Sequence, residues 1–268
     1  MGFFSRLRLV SISGLCFFGA FAHSAPTEKC GPSASPRILG TAALGQTSLW
    51  SFTSDLLSLG SFTLKTSKEQ AHARWVLGNT NWSARENILN GIRIRQDAIR
   101  NLPTTDPFRR SLERDIRNLS KVRRADVGRI RHIRCLEGIA FREFLKVADL
   151  RSHPQEFQAV FMEKQGRIVM IGDFYRKSRR DVVGTSASKT ADRERARLLR
   201  EGWTYYAHLH NHPFDFKNAY GDVGGTLVPS DADIALYLSE RPRYAWITNG
   251  LETIEISGKD FSRFEIKD

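Results

Sequence analysis

The chain has 268 residues, of which 41% are hydrophobic, 10% aromatic and 26% charged. This composition is typical of a globular protein and excludes a collagen-like, disordered or polytopic membrane protein. With 41 Lys and Arg against 29 Asp and Glu, the formal net charge of +12 predicts attraction to acidic partners such as nucleic acid, anionic lipid or wall polymer, without choosing among them.

Residues 1–25 have the pattern of a secretory signal peptide. Arg6 and Arg8 precede an uncharged apolar run that ends in small residues, and cleavage is expected after Ala22 or Ala25. The run is shorter than the roughly 20 apolar residues of a membrane-spanning helix. We therefore expect an exported protein, periplasmic or secreted, with no stable membrane insertion after cleavage; the alternative is an uncleaved N-terminal anchor. Cleavage removes two arginines and no acidic residue, so the net charge falls only from +12 to +10.

The cysteine content fits export. Cys16 lies in the signal peptide, which leaves Cys30 and Cys135 in the mature chain. Two cysteines in an oxidising compartment predict one disulfide, with two unrelated thiols as the alternative. Such a disulfide would tie the Pro- and Ser-rich linker predicted at residues 26–37 to the region that follows.

Residues 38–150 are predicted as a helical, arginine-rich region, although residues 38–80 have no clear pattern. A helix capped by Ser83 is expected over 81–102, and a second helical pattern runs from about 108 to 150. The two would pack as an antiparallel hairpin. Its outward face would carry ten basic residues, which predict either a docking surface for a polyanion or a solvated face with interspersed acidic residues. These residues are Arg109, Arg110, Arg114, Arg117, Lys121, Arg123, Arg124, Arg129, Arg131 and Arg134.

From residue 151 the pattern changes to strands and helices, which predicts an α+β domain over 151–268. The apolar runs Phe157–Glu163 and Arg167–Tyr175 flank a Gln-Gly turn and predict a hairpin. The remaining elements are expected as a helix over 192–201, a strand over Thr204–His210, a helix over Asp231–Glu240 capped by Ser230, and strands over Tyr244–Thr248 and Glu252–Ile256.

Three histidines lie within five residues at the end of one predicted strand: His208, His210 and His212, followed by Pro213. Residues two apart in a strand project to the same face, so His210 and His212 can bind one cation. Asp233, in the first turn of the next predicted helix, would add a carboxylate. Two imidazoles and one carboxylate leave a fourth tetrahedral position open, which is typical of a catalytic rather than a structural zinc site.

Two short motifs resemble the signature of the JAMM (MPN+) zinc metalloproteases and are most similar to their RadC-type bacterial branch. They are His210-Asn211-His212-Pro213 and Ser230-Asp231-Ala232-Asp233. The resemblance covers roughly residues 155–268. It implies an α-β-α domain with a mixed sheet, similar to that of cytidine deaminases, and cleavage of a peptide or isopeptide bond. It also implies one Zn²⁺ per chain, held by His210, His212 and Asp233, with His208 as a core or supporting histidine.

The resemblance further implies a glutamate general base at the start of the domain's first strand. Glu156 precedes the apolar run 157–162 and is favoured over Glu163, which lies at the far end of the strand beside a turn. Glu156 would take a proton from the water that the metal activates and return it to the leaving amine. Ser230 would donate a hydrogen bond to the developing oxyanion, and it also fits a helix N-cap.

The spacer between His212 and Ser230 has 17 residues, which is longer than is usual in the family, and its residues 214–227 are a candidate lid. The sequence thus predicts an exported zinc hydrolase acting on a peptide or protein substrate, for which cell-wall peptide crosslinks are one candidate. One alternative is a non-catalytic JAMM-like module that docks anionic partners through its arginine-rich helices. A secreted nuclease ranks last, because phosphodiester sites usually hold two metals.

Overall fold

The computed structural model describes residues 37–42, 45–53, 67–174, 189–217 and 224–266. The predicted signal peptide and nearly all of the predicted linker lie outside these residues. Cys135 is disulfide-bonded. Cys16 and Cys30 both lie outside the described residues, so the Cys30–Cys135 pairing stays a prediction. No helix in the described part of the chain has the length and apolar character needed to cross a membrane.

The described strands form one eight-stranded mixed sheet. In chain order they are β1 (Arg37–Ala42), β2 (Gly45–Thr53), β3 (Arg129–His132), β4 (Gln158–Lys164), β5 (Arg167–Asp173), β6 (Thr204–Asn211), β7 (Tyr244–Thr248) and β8 (Glu252–Ser257). Their spatial order is β1-β2-β5-β4-β6-β7-β8-β3. All neighbours are antiparallel except β6 and β7. A parallel pair needs a crossover connection, and a helix between β6 and β7 supplies it.

Helices cover both faces of this sheet. In chain order they are α1 (Ser67–Asn79), α2 (Ala84–Arg100), α3 (Pro107–Arg123), α4 (Cys135–Val147), α5 (Lys189–Arg200) and α6 (Asp231–Glu240), followed by a 3₁₀ helix at Gly258–Arg263. Alternate strand residues divide between the two faces. On β4, Ala159 and Phe161 pack with α4, whereas Val160 and Met162 pack with α5. Residues of α2, α3, α6 and the 3₁₀ helix form a cluster with β7 and β8. The predicted α+β class with a mixed sheet is confirmed.

The prediction of a helical region over 38–150 needs correction. The strands β1, β2 and β3 lie within it and belong to the same sheet as the later strands, so the sheet crosses the predicted boundary at 151. The pattern expected to be one helix from 108 to 150 is two helices with β3 between them. Ala125 and Gly128, with φ of 58° and 74°, turn the chain after α3. A Cβ on Gly128 would lie 2.8 Å from Cδ1 of Ile254 on β8, so a larger residue would require Ile254 to shift and would also be strained by the positive φ.

The hairpin of α2 and α3 and the elements after residue 151 agree with the sequence patterns. Ser83 caps α2 by accepting a hydrogen bond from the Glu86 backbone N–H. Gln165 and Gly166, both with positive φ, form the tight turn between β4 and β5. The predicted bounds of α6 and β7 match the observed ones residue for residue.

His72 on α1 is a buried titratable group that contacts the far end of β7. Its side chain is 4% exposed, and its Nε2 donates a hydrogen bond to the Asn249 carbonyl oxygen, 3.2 Å away. Burial lowers the pKa of His72 to about 4, and this effect outweighs the hydrogen bond to Asn249, which acts in the opposite direction. The unfolded chain binds this proton near pH 6.5, so the free energy of unfolding falls as the pH drops from about 6.5 to about 4.

We expect His72 to account for a loss of about 2 kcal/mol in the free energy of unfolding between about pH 7 and about pH 5. His72→Gln keeps an amide donor for the Asn249 carbonyl. Over the same pH interval its free energy of unfolding should fall by about 2 kcal/mol less than that of the wild type. Urea denaturation at both pH values measures the difference. The exposed His132 gives a matched control, because His132→Gln should behave as the wild type. Equal losses in the wild type and in His72→Gln would contradict the prediction.

Candidate metal centre

β6 and α6 bring the three predicted metal ligands together. His210 lies near the end of β6, and His212 follows it with its backbone N–H bonded to the Thr248 carbonyl at 2.9 Å. Asp233 lies in the first turn of α6. One ligand atom from each of these three residues lies within 4.8 Å of the other two, so the three residues, named the metal group, could hold a metal ion.

The distances between the donor atoms suit a small tetrahedral ion. The Nε2 atoms of His210 and His212 lie 3.1 Å apart. Oδ2 of Asp233 lies 3.5 Å from the first of these nitrogens and 3.9 Å from the second. Ligands about 2.05 Å from a tetrahedral zinc are about 3.3 Å from one another. The three donor atoms are therefore spaced about as far apart as the ligands of a tetrahedral ion of this size.

Each imidazole ring has a hydrogen-bonding partner at Nδ1, while its Nε2 faces the other donors. Nδ1 of His212 lies 2.5 Å from the Thr226 carbonyl oxygen. A carbonyl only accepts, so Nδ1 donates and the lone pair of a neutral ring is on Nε2, facing the other donors. Nδ1 of His210 lies 3.3 Å from the hydroxyl of Tyr237, a fully buried residue of α6.

Ser230 is the N-cap of α6, as the sequence predicted, and it holds Asp233 in place. Its Oγ accepts a hydrogen bond from the Asp233 backbone N–H at 3.2 Å. In return, Oδ2 of Asp233 accepts hydrogen bonds from the Ser230 backbone N–H at 2.8 Å and from its hydroxyl at 2.7 Å, which completes a capping box. The hydroxyl proton is directed at the carboxylate, so a role for Ser230 as oxyanion donor stays a prediction.

The three groups perturb one another electrostatically. Burial favours the neutral form of Asp233, but the His210 and His212 rings and the Ser230 hydroxyl outweigh it and hold the pKa of the carboxyl well below its ordinary value. Burial likewise opposes a charge on His210, but Asp233 and Glu156 raise the pKa of this ring. Burial, and then the charge on His210, lower the pKa of His212 to about 4. The neutral His212 and the ionised Asp233 are both in the form that binds a metal ion.

The structure separates the two candidate bases. Glu156 lies just before β4, whose first residue Gln158 pairs with His210. The Glu156 carboxylate is close enough for its charge to act on the His210 ring. Glu163 pairs with Thr204 at the opposite end of the same two strands. Five residues of extended strand put Glu163 roughly 17 Å from Gln158, so only Glu156 is near the metal group.

Asn211, between the two histidines, contributes to the candidate site and was not identified from the sequence. Its side chain is fully buried on the face of β6 opposite the ligands. Its Oδ1 accepts a hydrogen bond from the Phe157 backbone N–H at 2.7 Å, and its Nδ2 donates to the Gln155 carbonyl at 3.0 Å. These two bonds bracket Glu156, so the strand that carries the ligands also positions the candidate base. The only signal in the sequence is that Asn211 is polar at a position where the alternation along β6 predicts an apolar residue.

His208 lies apart from the metal group, as expected of a core histidine. It is 1% exposed, and its Nε2 lies 2.8 Å from a carboxylate oxygen of Glu240, near the C-terminal end of α6. Arg195 of α5 donates to the other carboxylate oxygen at 3.2 Å. His208 therefore links β6 to α5 and α6.

The candidate lid over 214–227 lies partly outside the described residues. Its described ends pack into the fold. Phe214 is fully buried, with its ring 4.8 Å from that of Trp82, and the Gly225 backbone N–H bonds to the Pro213 carbonyl at 2.9 Å. The second end supplies Thr226, whose carbonyl orients His212.

No protein-family model, curated protein or solved structure matches this chain. The resemblance to JAMM proteins therefore rests on the residues of the site.

We expect the purified protein to contain about one zinc per chain, because three donors converge at tetrahedral spacing. His210→Ala and Asp233→Asn should both lose the metal, since each removes one donor. Elemental mass spectrometry of protein purified without chelating resin measures the content. The exposed His132 supplies the control, because His132→Ala should retain the metal. Zinc retained by both ligand variants, or none taken up by folded wild type from supplied zinc, would contradict the assignment.

Ser230→Ala should reduce the free energy of unfolding by about 1 kcal/mol, because it removes the cap of α6. It should also weaken zinc binding, because Oδ2 of Asp233 loses the hydroxyl that orients it. Ser230→Thr keeps a hydroxyl and should restore most of both properties. Urea denaturation and zinc competition on the three proteins measure these effects. Stability and affinity that are unchanged in Ser230→Ala would show that the capping box does not orient the ligand.

Proposed function

We propose that this protein is an exported zinc-dependent hydrolase that cleaves an amide bond, peptide or isopeptide, with Glu156 as the general base. The observation that carries the proposal is the convergence of His210, His212 and Asp233, with Glu156 close enough for its charge to act on the His210 ring. The residues support metal-assisted hydrolysis. The resemblance to JAMM proteases supplies the type of bond.

The donor set fits zinc better than the harder cations. Two imidazole nitrogens and one carboxylate oxygen are typical of a catalytic zinc site, whereas Mg²⁺ and Ca²⁺ prefer oxygen ligands alone. The Thr226 carbonyl fixes the proton of His212 on Nδ1, so Nε2 is available as a ligand without rearrangement. The site lies at the end of β6 and the start of α6, which is consistent with the JAMM-like arrangement that we propose for the domain.

When bound, a zinc ion would activate a water molecule for attack and polarise the carbonyl of the substrate. The residues of the chain would do the rest. Glu156 would accept a proton from the attacking water and pass it to the leaving nitrogen, which needs that proton to depart as an amine. Asp233 would balance the positive charge of the metal. The Ser230 hydroxyl, at the N-terminus of α6, would orient Asp233 and lie close to the developing oxyanion.

A cleft gives access to the metal group. It has a volume of about 430 Å³, and both His212 and Ser230 line it. The hairpin also lines it, through Arg95 of α2 and Asp115 and Asn118 of α3. The cleft has both polar and apolar lining residues, and its volume is large enough for a short stretch of extended peptide. This shape supports a peptide or protein substrate.

Export is part of the proposal. The signal-peptide pattern at residues 1–25 supports it, and so does the disulfide at Cys135, because disulfides persist mainly in oxidising compartments. A periplasmic or secreted location would give the enzyme access to substrates outside the cytoplasm, including cell-wall peptides.

The alternative of a docking module receives less support from the structure. Seven of the ten basic residues predicted for the docking surface form ion pairs with carboxylates of the protein itself. These are Arg109, Arg114, Arg117, Lys121, Arg124, Arg131 and Arg134. An arginine already paired with a carboxylate contributes little net attraction to a polyanion.

Glu156→Gln should reduce hydrolysis by about 10²- to 10⁴-fold, because it removes the proton acceptor but keeps the size of the side chain. Zinc content should stay unchanged, since Glu156 is not one of the three converging donors. The assay incubates zinc-loaded protein with a mixed library of peptides and lysine-linked isopeptides, and mass spectrometry identifies newly released amines.

Glu163→Gln is the matched control, because it makes the same chemical change at the other end of β4 and should leave hydrolysis unchanged. Equal activity in Glu156→Gln and the wild type would rule out Glu156 as the base. If zinc-loaded wild type releases no amine from any library member, the proposed amide hydrolysis fails even though the metal site stands.

A further inference from the structure

Tyr237 of α6 contacts His210 at Nδ1, the ring nitrogen that faces away from the other donors. It lies four residues after Asp233, so both side chains project from the same side of the helix. It is 1% exposed and belongs to the apolar cluster between α6 and the sheet, with its ring 5.2 Å from that of Phe261. Its hydroxyl nevertheless reaches Nδ1 of His210 at 3.3 Å.

The role of this contact follows from the chemistry of imidazole. His210 faces Asp233 and His212 with Nε2. A neutral ring carries one proton, so Nε2 can offer a lone pair to a metal only if the proton is on Nδ1. A proton on buried Nδ1 needs an acceptor, and the Tyr237 hydroxyl oxygen is placed to provide one.

The two ligand histidines are therefore supported in parallel ways. For His212 the acceptor is the Thr226 carbonyl, and for a His210 ring that carries its proton on Nδ1 it would be the Tyr237 hydroxyl. The hydroxyl oxygen of Tyr237 carries lone pairs that can accept a hydrogen bond from Nδ1.

We propose that Tyr237 is a positioning residue that holds the His210 ring in the orientation and tautomer in which it binds the metal ion. This inference rests on the metal site of the proposed function, but not on the reaction catalysed there. Helix α6 would then contribute to the site twice. It supplies Asp233, which the capping box holds, and one turn later the Tyr237 hydroxyl supports His210.

The test is zinc affinity. Tyr237→Phe removes one oxygen and keeps the ring, so it should weaken zinc binding by about 10- to 100-fold, as is typical when the outer partner of a ligand histidine is lost. Affinity is measured by competition with a chromophoric chelator, on the full mature protein with zinc alone. Tyr244→Phe is the control, because it makes the same change on the opposite face of the sheet, where Tyr244 stacks on Trp246.

A second readout distinguishes positioning from general destabilisation. Cobalt substituted for zinc reports ligand geometry in its visible absorption, and the spectrum should change in Tyr237→Phe and not in Tyr244→Phe. The free energy of unfolding in excess EDTA measures the purely structural effect of each substitution.

Equal zinc affinity in Tyr237→Phe and the wild type would overturn the proposal, as would an equal loss in Tyr244→Phe. A wild type that binds no zinc would overturn it together with the metal site. A wild type that binds zinc but hydrolyses no peptide would overturn only the proposed reaction, so the two proposals fail separately.

Discussion

The alternation of side chains along β6 is the constraint on which both the core and the metal group depend. Ala207 and Leu209 pack into the cluster under α4, while His208 and His210 point to the opposite face, toward α6. A shift of one residue in the pairing with β4 would send the ligands into the apolar core. β6 is held against such a shift on both sides, by antiparallel pairing with β4 and parallel pairing with β7. The apolar residues of the strand therefore position the histidines.

The start of α6 adds a second constraint, because one hydrogen-bonding motif serves two purposes. The capping box satisfies backbone donors that every helix N-terminus exposes. The same box turns Oδ2 of Asp233 toward the two imidazoles, since that oxygen accepts both bonds from Ser230. The positive end of the helix dipole also favours a carboxylate at this place. A carboxylate held this firmly would lose little conformational entropy on binding a metal ion, so the local order of the helix would contribute to the affinity of the proposed site.

The parts of the site that the sequence predicts are those whose residues lie a few positions apart in one strand or one helix. His210, His212, Ser230 and Asp233 have fixed short spacings within a strand and a helix, and the structure brings them together. Contacts between distant segments carried no such signal: the bonds of Asn211 and the contact of Tyr237 with His210 depend on pairings that only the fold creates. The same limit explains the error over 108–150, where apolar spacing also suited a helix. Positive φ at two residues and pairing of β3 with β8 decided the outcome there.

The basic charge of the chain has a structural use that composition alone does not indicate. Arg114 of α3 is largely buried and bonds to Asp231, the first residue of α6, at 2.5 Å. Asn87 of α2 donates to the Gly224 carbonyl, at the end of the spacer that leads to Thr226. The hairpin is thus attached to both segments that orient the candidate metal ligands, and it also lines the cleft. A hairpin bound at these points cannot move as an independent docking arm without disturbing α6. The arginine-rich hairpin is therefore tied to the candidate metal centre through the helix that supplies Asp233.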